Sequence, residues 1–232
     1  GHGSMPLICH RLGIKFIYAP FDYEIMDFDY EKIKALRKKE KIDGMLICPS
    51  DILFQPSLQN LEVSEDFIII YDATQTLGLI SGKSNSNPFH FFSNEVPFVL
   101  MGATHKTLPG PTSGLIMTNN QKLMNLIDTK INPDYLRNVQ FHQILSLILV
   151  LIEMEMFGEQ YSKQIINNAN KLGRYLEKLG VQVIRARNDL YTDTHQIFIS
   201  MKENEITRFL HRSQSHRISL NGRYKRLYRD SG

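Results

Sequence analysis

The chain has 232 residues, 42% of them hydrophobic and 22% charged, with a formal net charge of +3. That length supports one large or two modest domains with a buried core, and the balance excludes a disordered or fibrous chain. Only Arg223-Tyr224-Lys225-Arg226-Leu227-Tyr228-Arg229 is locally basic; so short a run reads as a solvated face, and no nucleic-acid partner is expected.

Residues 1–4, ahead of Met5, read as an expression scar, and no signal peptide is visible after them. Cys9 and Cys48 make no disulfide framework, and their spacing to the histidines fits no zinc pattern. Both read as reduced core thiols of a cytoplasmic protein with no metal site.

Residues 15–18 read as a strand, and residues 29–41 as a helix with Asp27 or Asp29 near its N-cap and lysines in its last turns. Residues 44–48 form a short apolar run ending at Pro49-Ser50, and residues 67–71 another ending at Asp72. Residues 84–88 read as a surface loop. Residues 97–101 and 114–118 read as strands flanking a loop that contains Lys106. Continuous apolar runs between helices point to an α/β fold whose mostly parallel sheet is covered by helices on both faces.

Residues 139–156 are apolar on most sides and predict a deeply buried helix. Within them, the uncharged run 141–152 is too short to span a bilayer, so no membrane partner is expected. Residues 158–179 predict a second, amphipathic helix capped by Gly180. Residues 181–184 and 196–200 read as strands, 203–211 as a helix and 217–220 as a strand. The organisation expected is a large domain over 5–156 and the start of a smaller C-terminal α/β domain over 157–232, both partial.

Three side chains stand at predicted strand ends, where open α/β sheets place their ligands. Asp72 opens Asp72-Ala73-Thr74-Gln75. A carboxylate there can pair with a protonated pyridine nitrogen and keep that ring an electron sink; taken alone, a helix N-cap at a strand–helix junction is the more common explanation. Lys106 sits in Thr104-His105-Lys106-Thr107-Leu108-Pro109-Gly110-Pro111. An amine of lowered pKa forms a Schiff base with an aldehyde, and the turn residues hold the loop against a sheet edge. Ser50 offers a hydroxyl to a cofactor's phenolic oxygen, or simply closes a Pro-Ser-Asp turn.

In their order along the chain, these segments resemble serine hydroxymethyltransferase, a fold-type I enzyme that uses pyridoxal phosphate. Thr104 to Pro111 resembles the family's lysine motif, and Ser113-Gly114-Leu115-Ile116 continues the likeness. Asp72 to Gln75 ahead of Gly78-Leu79-Ile80, the helix from Phe157 to Gln164, and Thr192-Asp193-Thr194-His195-Gln196 also match in order. The resemblance implies that Lys106 carries the cofactor as its internal aldimine and that Asp72 pairs with the pyridinium nitrogen. Gln75 and Ser50 would lie at the phenolic oxygen, His105 beside the phosphate and the lysine, and Thr104 in the same cofactor site. The implied substrate is a small β-hydroxy amino acid (serine/glycine or threonine) cleaved at Cα–Cβ. Tetrahydrofolate is compatible as a second cofactor, and a homodimer is implied because such sites are shared between subunits.

The sequence departs from the family at several places. Gln75 stands where the family has histidine, a pattern also found in class V aminotransferases. A threonine aldolase or transaldolase would match equally well. The phosphate-binding glycine pair is missing, with Arg137 near its place as an alternative anion ligand. The N-terminal substrate segment and the carboxylate-binding arginine that follows a Ser-Gly in the family are not among these residues. A fragment, or a non-catalytic dimerising paralogue, is the alternative expectation.

Overall fold

The computed structural model describes residues 3–185 and 190–222. The basic run 223–229 and Ser231-Gly232 lie outside them. The first element is a short helix, α1 (Met5–Arg11), with proline in its first turn. Residues 15–18 are not a strand: Phe16, Ile17 and Tyr18 lie exposed, outside the described ladders. An apolar β-prone run becomes a strand only where a neighbouring strand pairs with it. A two-residue antiparallel ribbon follows, β1 (Phe21–Asp22) with β2 (Asp27–Phe28).

Helix α2 (Tyr30–Lys39) forms where the sequence places it. The Asp29 side chain accepts from the Lys32 N–H at 3.0 Å, Glu31 occupies the first turn, and Arg37, Lys38 and Lys39 the last. Both ends thus complement the helix dipole.

The sheet consists of β3 (Gly44–Ile47), β4 (Ile68–Asp72), β5 (Phe98–Ala103) and β6 (Gly114–Met117), hydrogen-bonded in that order. The first three run parallel and β6 antiparallel. Between β4 and β5 lies the short helix α3 (Leu77–Ser81). Ile47, Ile69, Tyr71, Phe98 and Leu100 form the buried centre, joined by Ile33 of α2, Leu77 of α3 and, from further along the chain, Met154. The rings of Phe89 and Phe92 pack on Phe98 with centroids at 5.1 and 4.7 Å. Burial pushes the Tyr71 phenol up to about 12, so it stays neutral in the core.

Helix α4 (Gln121–Lys130) is capped by Asn120, whose side chain accepts from the Leu123 N–H. The two helices expected over 139–179 are one unbroken 38-residue helix, α5 (Phe141–Lys178). Gly158 lies inside it and serves a close crossing rather than a stop. A Cβ on Gly82, beside the end of α3, would collide with the Gly158 carbonyl and the Ser162 side chain. The Ser162 hydroxyl donates to the Gly82 carbonyl at 2.8 Å.

The expectation of deep burial for 139–156 is also corrected. Leu147, Val150 and Met154, along one face, reach the core. Leu145 and Leu149, on the other side, are 62% and 63% exposed. Among the described residues the sheet has four strands and covers a single stripe of so long a helix.

Beyond α5, the strands expected over 181–184 and 196–200 reduce to one antiparallel bridge, Val183 with Ile199. Helix α6 (Glu203–Ser215) forms. Residues 217–220 are not a strand, and Arg217 turns the chain at φ 62°.

Candidate active site

The parallel register brings the ends of three strands together. Ile47 pairs with Tyr71 and Asp72 with Met101. Cys48-Pro49-Ser50, Asp72 and the Thr104–Lys106 turn therefore leave the sheet at its carboxyl edge, where ligands of open parallel sheets sit.

Asp72 is the last residue of β4 and is held from two sides. Its Oδ1 accepts from the Thr74 N–H at 2.9 Å, and its Oδ2 lies 3.0 Å from the Cys48 sulfur, whose thiol donates. Cys48 is buried, as expected of a core thiol, but it also touches the candidate site. Nothing in the sequence points to this contact, because the residues are 24 positions apart and meet only through strand register.

The lysine loop is fastened on both sides of Lys106. Thr104 accepts and donates within the loop: its N–H bonds the Ser113 carbonyl at 3.0 Å, its hydroxyl the Pro111 carbonyl at 2.6 Å, and its carbonyl the Gly110 N–H at 2.9 Å. The Thr104 side chain is thus spent on the turn. After Lys106, the Thr107 hydroxyl donates to the Gln75 carbonyl at 3.0 Å and accepts from the Gly78 N–H at 3.1 Å. The Tyr161 hydroxyl of α5 donates to the Thr107 carbonyl at 3.2 Å. A Cβ on Gly78 would run into the Thr107 carbonyl, so this approach needs glycine. His105 and Lys106 themselves are exposed.

A far segment closes the β3 side. The Thr192 and Thr194 hydroxyls donate to the Leu53 and Ile52 carbonyls at 2.6 and 2.8 Å. Gln196 accepts from the Ile52 N–H at 2.9 Å and donates to the Ser50 carbonyl at 3.2 Å. The Ser50 hydroxyl and His195 Nδ1 are buried without a hydrogen-bond partner among the described residues. Burial, followed by the nearby Lys106 charge, lowers the His195 pKa. His195 was visible in the sequence only as part of a matched segment. Arg137, offered as an anion ligand, lies exposed in the link between α4 and α5, without an ion pair among the described residues.

The family model for serine hydroxymethyltransferase matches residues 17–220. The chain belongs to the serine hydroxymethyltransferase family. It is 31% identical over 194 residues to the serine hydroxymethyltransferase of Archaeoglobus fulgidus, covering 82% of this chain and 43% of that protein. To that of Methanocaldococcus jannaschii it is 35% identical over 199 residues, covering 83% and 44%. The chain thus spans less than half the length of these relatives. The crystal structure of L-threonine transaldolase from Pseudomonas fluorescens, in its internal aldimine state, superposes with a TM-score of 0.80 at 25% identity, over 92% of this chain and 49% of that one. The fold is the α/β fold of type I pyridoxal-phosphate enzymes, with a mixed, mostly parallel sheet.

Pyridoxal phosphate is the cofactor of the serine hydroxymethyltransferase family, and the residues present fit it. An amine stands on a fastened loop, a carboxylate is oriented by two donors, and a buried hydroxyl lacks a partner among the described residues.

Proposed function

We propose that this site acts on the Cα–Cβ bond of a small β-hydroxy amino acid, the serine/glycine pair or threonine, as serine hydroxymethyltransferases do. The convergence of Lys106, Asp72 and Ser50 on the carboxyl ends of three adjacent parallel strands carries this reading. Pyridoxal phosphate, when bound, supplies an electron sink for the pair released at Cα. Lys106 would hold the cofactor through Nζ, where a proton could also be held. Asp72, already oriented, would hold the proton on the pyridine nitrogen. Ser50 would donate to the phenolic oxygen, with Gln75 and His105 also holding the cofactor. Thr104 acts by fixing the turn that presents Lys106.

The rest of the reading follows from the family: tetrahydrofolate as one-carbon acceptor, a homodimer, a cytoplasmic location, and no nucleic-acid partner. The division at 156/157 belongs to it too, with α5 joining the two parts. The apolar outer face of α5 supports the dimer. A second reading, threonine aldolase or transaldolase chemistry, is favoured by the structural likeness to the transaldolase; the reacting groups would be the same.

Titrating the purified protein with pyridoxal phosphate tests the proposal. The expected result is the visible absorption of a lysine-bound cofactor, lost in Lys106→Ala, and cleavage of serine or threonine measured with and without tetrahydrofolate. A protein that stays colourless, or a Lys106→Ala variant with an unchanged band, overturns it.

A further inference from the structure

The amide of Gln196 fixes more than the backbone it bridges. The Ile52 N–H can only donate, so the Gln196 atom facing it at 2.9 Å is the oxygen. The amide nitrogen then faces the other way, 3.2 Å from the Ser50 carbonyl and 3.5 Å from His195 Nε2. That nitrogen carries only donor hydrogens, so Nε2 is placed to accept, the arrangement that suits a neutral imidazole with its proton on Nδ1. His195 Nδ1 is buried and has no hydrogen-bond partner among the described residues. A buried N–H without an acceptor is unfavourable until one arrives. The site around it contains Ser50, held by the same glutamine, and the Lys106 ammonium, which acts on His195 electrostatically.

We propose that His195 is a ligand-binding residue of the Lys106 site, donating from Nδ1 to an anionic oxygen of the bound cofactor or of its amino-acid substrate. The inference rests on the functional reading above and adds a recognition role that the lysine motif does not contain. An anionic acceptor is favoured because Lys106 makes the neighbourhood positive, and charge-assisted hydrogen bonds are the stronger ones. Two oxygens share this chemistry: one on pyridoxal phosphate and one on the amino-acid carboxylate.

The test uses the whole chain labelled with 15N in its histidine rings. In the free protein, His195 is expected as the neutral Nδ1–H tautomer; an Nε2–H tautomer overturns the inference. Pyridoxal phosphate is then added, and glycine after it. A downfield move of the Nδ1 proton with the cofactor alone assigns the acceptor to the cofactor; a move only with glycine assigns it to the carboxylate. No move with either, while the absorption band forms and glycine perturbs it, sinks the role of His195 and leaves the functional reading standing. A missing band sinks both. In parallel, binding constants of cofactor and glycine are compared for His195→Asn, whose amide can place a donor where Nδ1 lies, and His195→Phe. The phenylalanine variant is expected to bind the assigned ligand on the order of tenfold more weakly, and the asparagine variant to recover most of it. Equal affinity in all three proteins overturns the proposal, and the asparagine variant keeps it testable if the phenylalanine variant misfolds.

Discussion

Gly78 has no side chain, and that absence lets the backbone after Asp72 touch the loop after Lys106. Its N–H bonds the Thr107 hydroxyl, and an added methyl would overlap the Thr107 carbonyl. In Gly78→Ala one of the two backbones must move. Overpacking of this kind costs about 1–3 kcal/mol, so urea unfolding should register a loss of that size. Cofactor titration should register weaker binding as Lys106 shifts. A variant with unchanged stability and affinity would mean that the contact is not tight. His195 gives a pH expectation. Its folded pKa lies below its ordinary 6.5, through burial and then Lys106. The folded state therefore binds fewer protons than the unfolded one as pH falls. Stability is unaffected well above pH 6.5, is lost as pH drops from there through the folded pKa, and then levels off. Thermal unfolding from pH 8 to 5 should have a shallower acid limb in His195→Phe than in the unsubstituted chain. At this scale the sequence placed Lys106, Asp72 and Ser50 at strand ends, where the structure also has them, because each follows a strand-like run. The Cys48–Asp72 contact and the bonds from Gln196 to Ser50 and Ile52 were hidden, since they are products of register and long-range closure.

Elements were legible where their signal is local. Asp29 and the lysines behind it mark α2 from both ends, and removing the cap in Asp29→Ala should cost about 1 kcal/mol, read as a shifted urea midpoint with unchanged slope. The central strands could be read from their unbroken apolar runs. Phe98 shows what those runs do: fully buried on β5, it meets Phe89 edge to face and Phe92 at a tilt. Phe98→Ala should lose about 3–5 kcal/mol, enough to unfold much of the population at moderate urea; a loss under 1 kcal/mol would contradict the packing described. Residues 15–18, 181–184 and 196–200 carried the same apolar signal and did not become ladders, because strand formation depends on a partner that no local window contains. The division of α5 into two helices failed for a related reason: Gly158, where the second helix was expected to begin, is here the small residue of a helix crossing.

For the whole molecule, the outer face of α5 is the main unsettled surface. Ile144, Leu145, Ile148, Leu149 and Ile152 lie exposed on the single chain. An 18-residue window of α5 reaches a mean hydropathy of 1.5, so by length and composition the helix could also cross a membrane. Its stripe of Met154, Gly158, Ser162 and Gly173 is nevertheless buried on the protein. We expect a second copy to cover the outer face, with light scattering reporting a dimer. Leu149→Glu should weaken association roughly tenfold or more, since a symmetric interface carries the charge twice. Unchanged association, or sedimentation of the chain with lipid vesicles, would count against this. A dimer is what the family likeness leads one to expect, whereas the exposed face came only from the fold.

The bonds from Gln196 to Ser50 and Ile52 span 146 and 144 residues of chain. Loops of that length close late, because their entropy must be lost before any contact rewards it. During synthesis the ribosome releases β3, β4, β5 and Lys106 well before it releases Gln196. A nascent chain would thus display the lysine and the aspartate on a sheet edge whose β3 wall is still loose. Binding competence would arrive in one late step, when residues 192–196 dock onto 50–55.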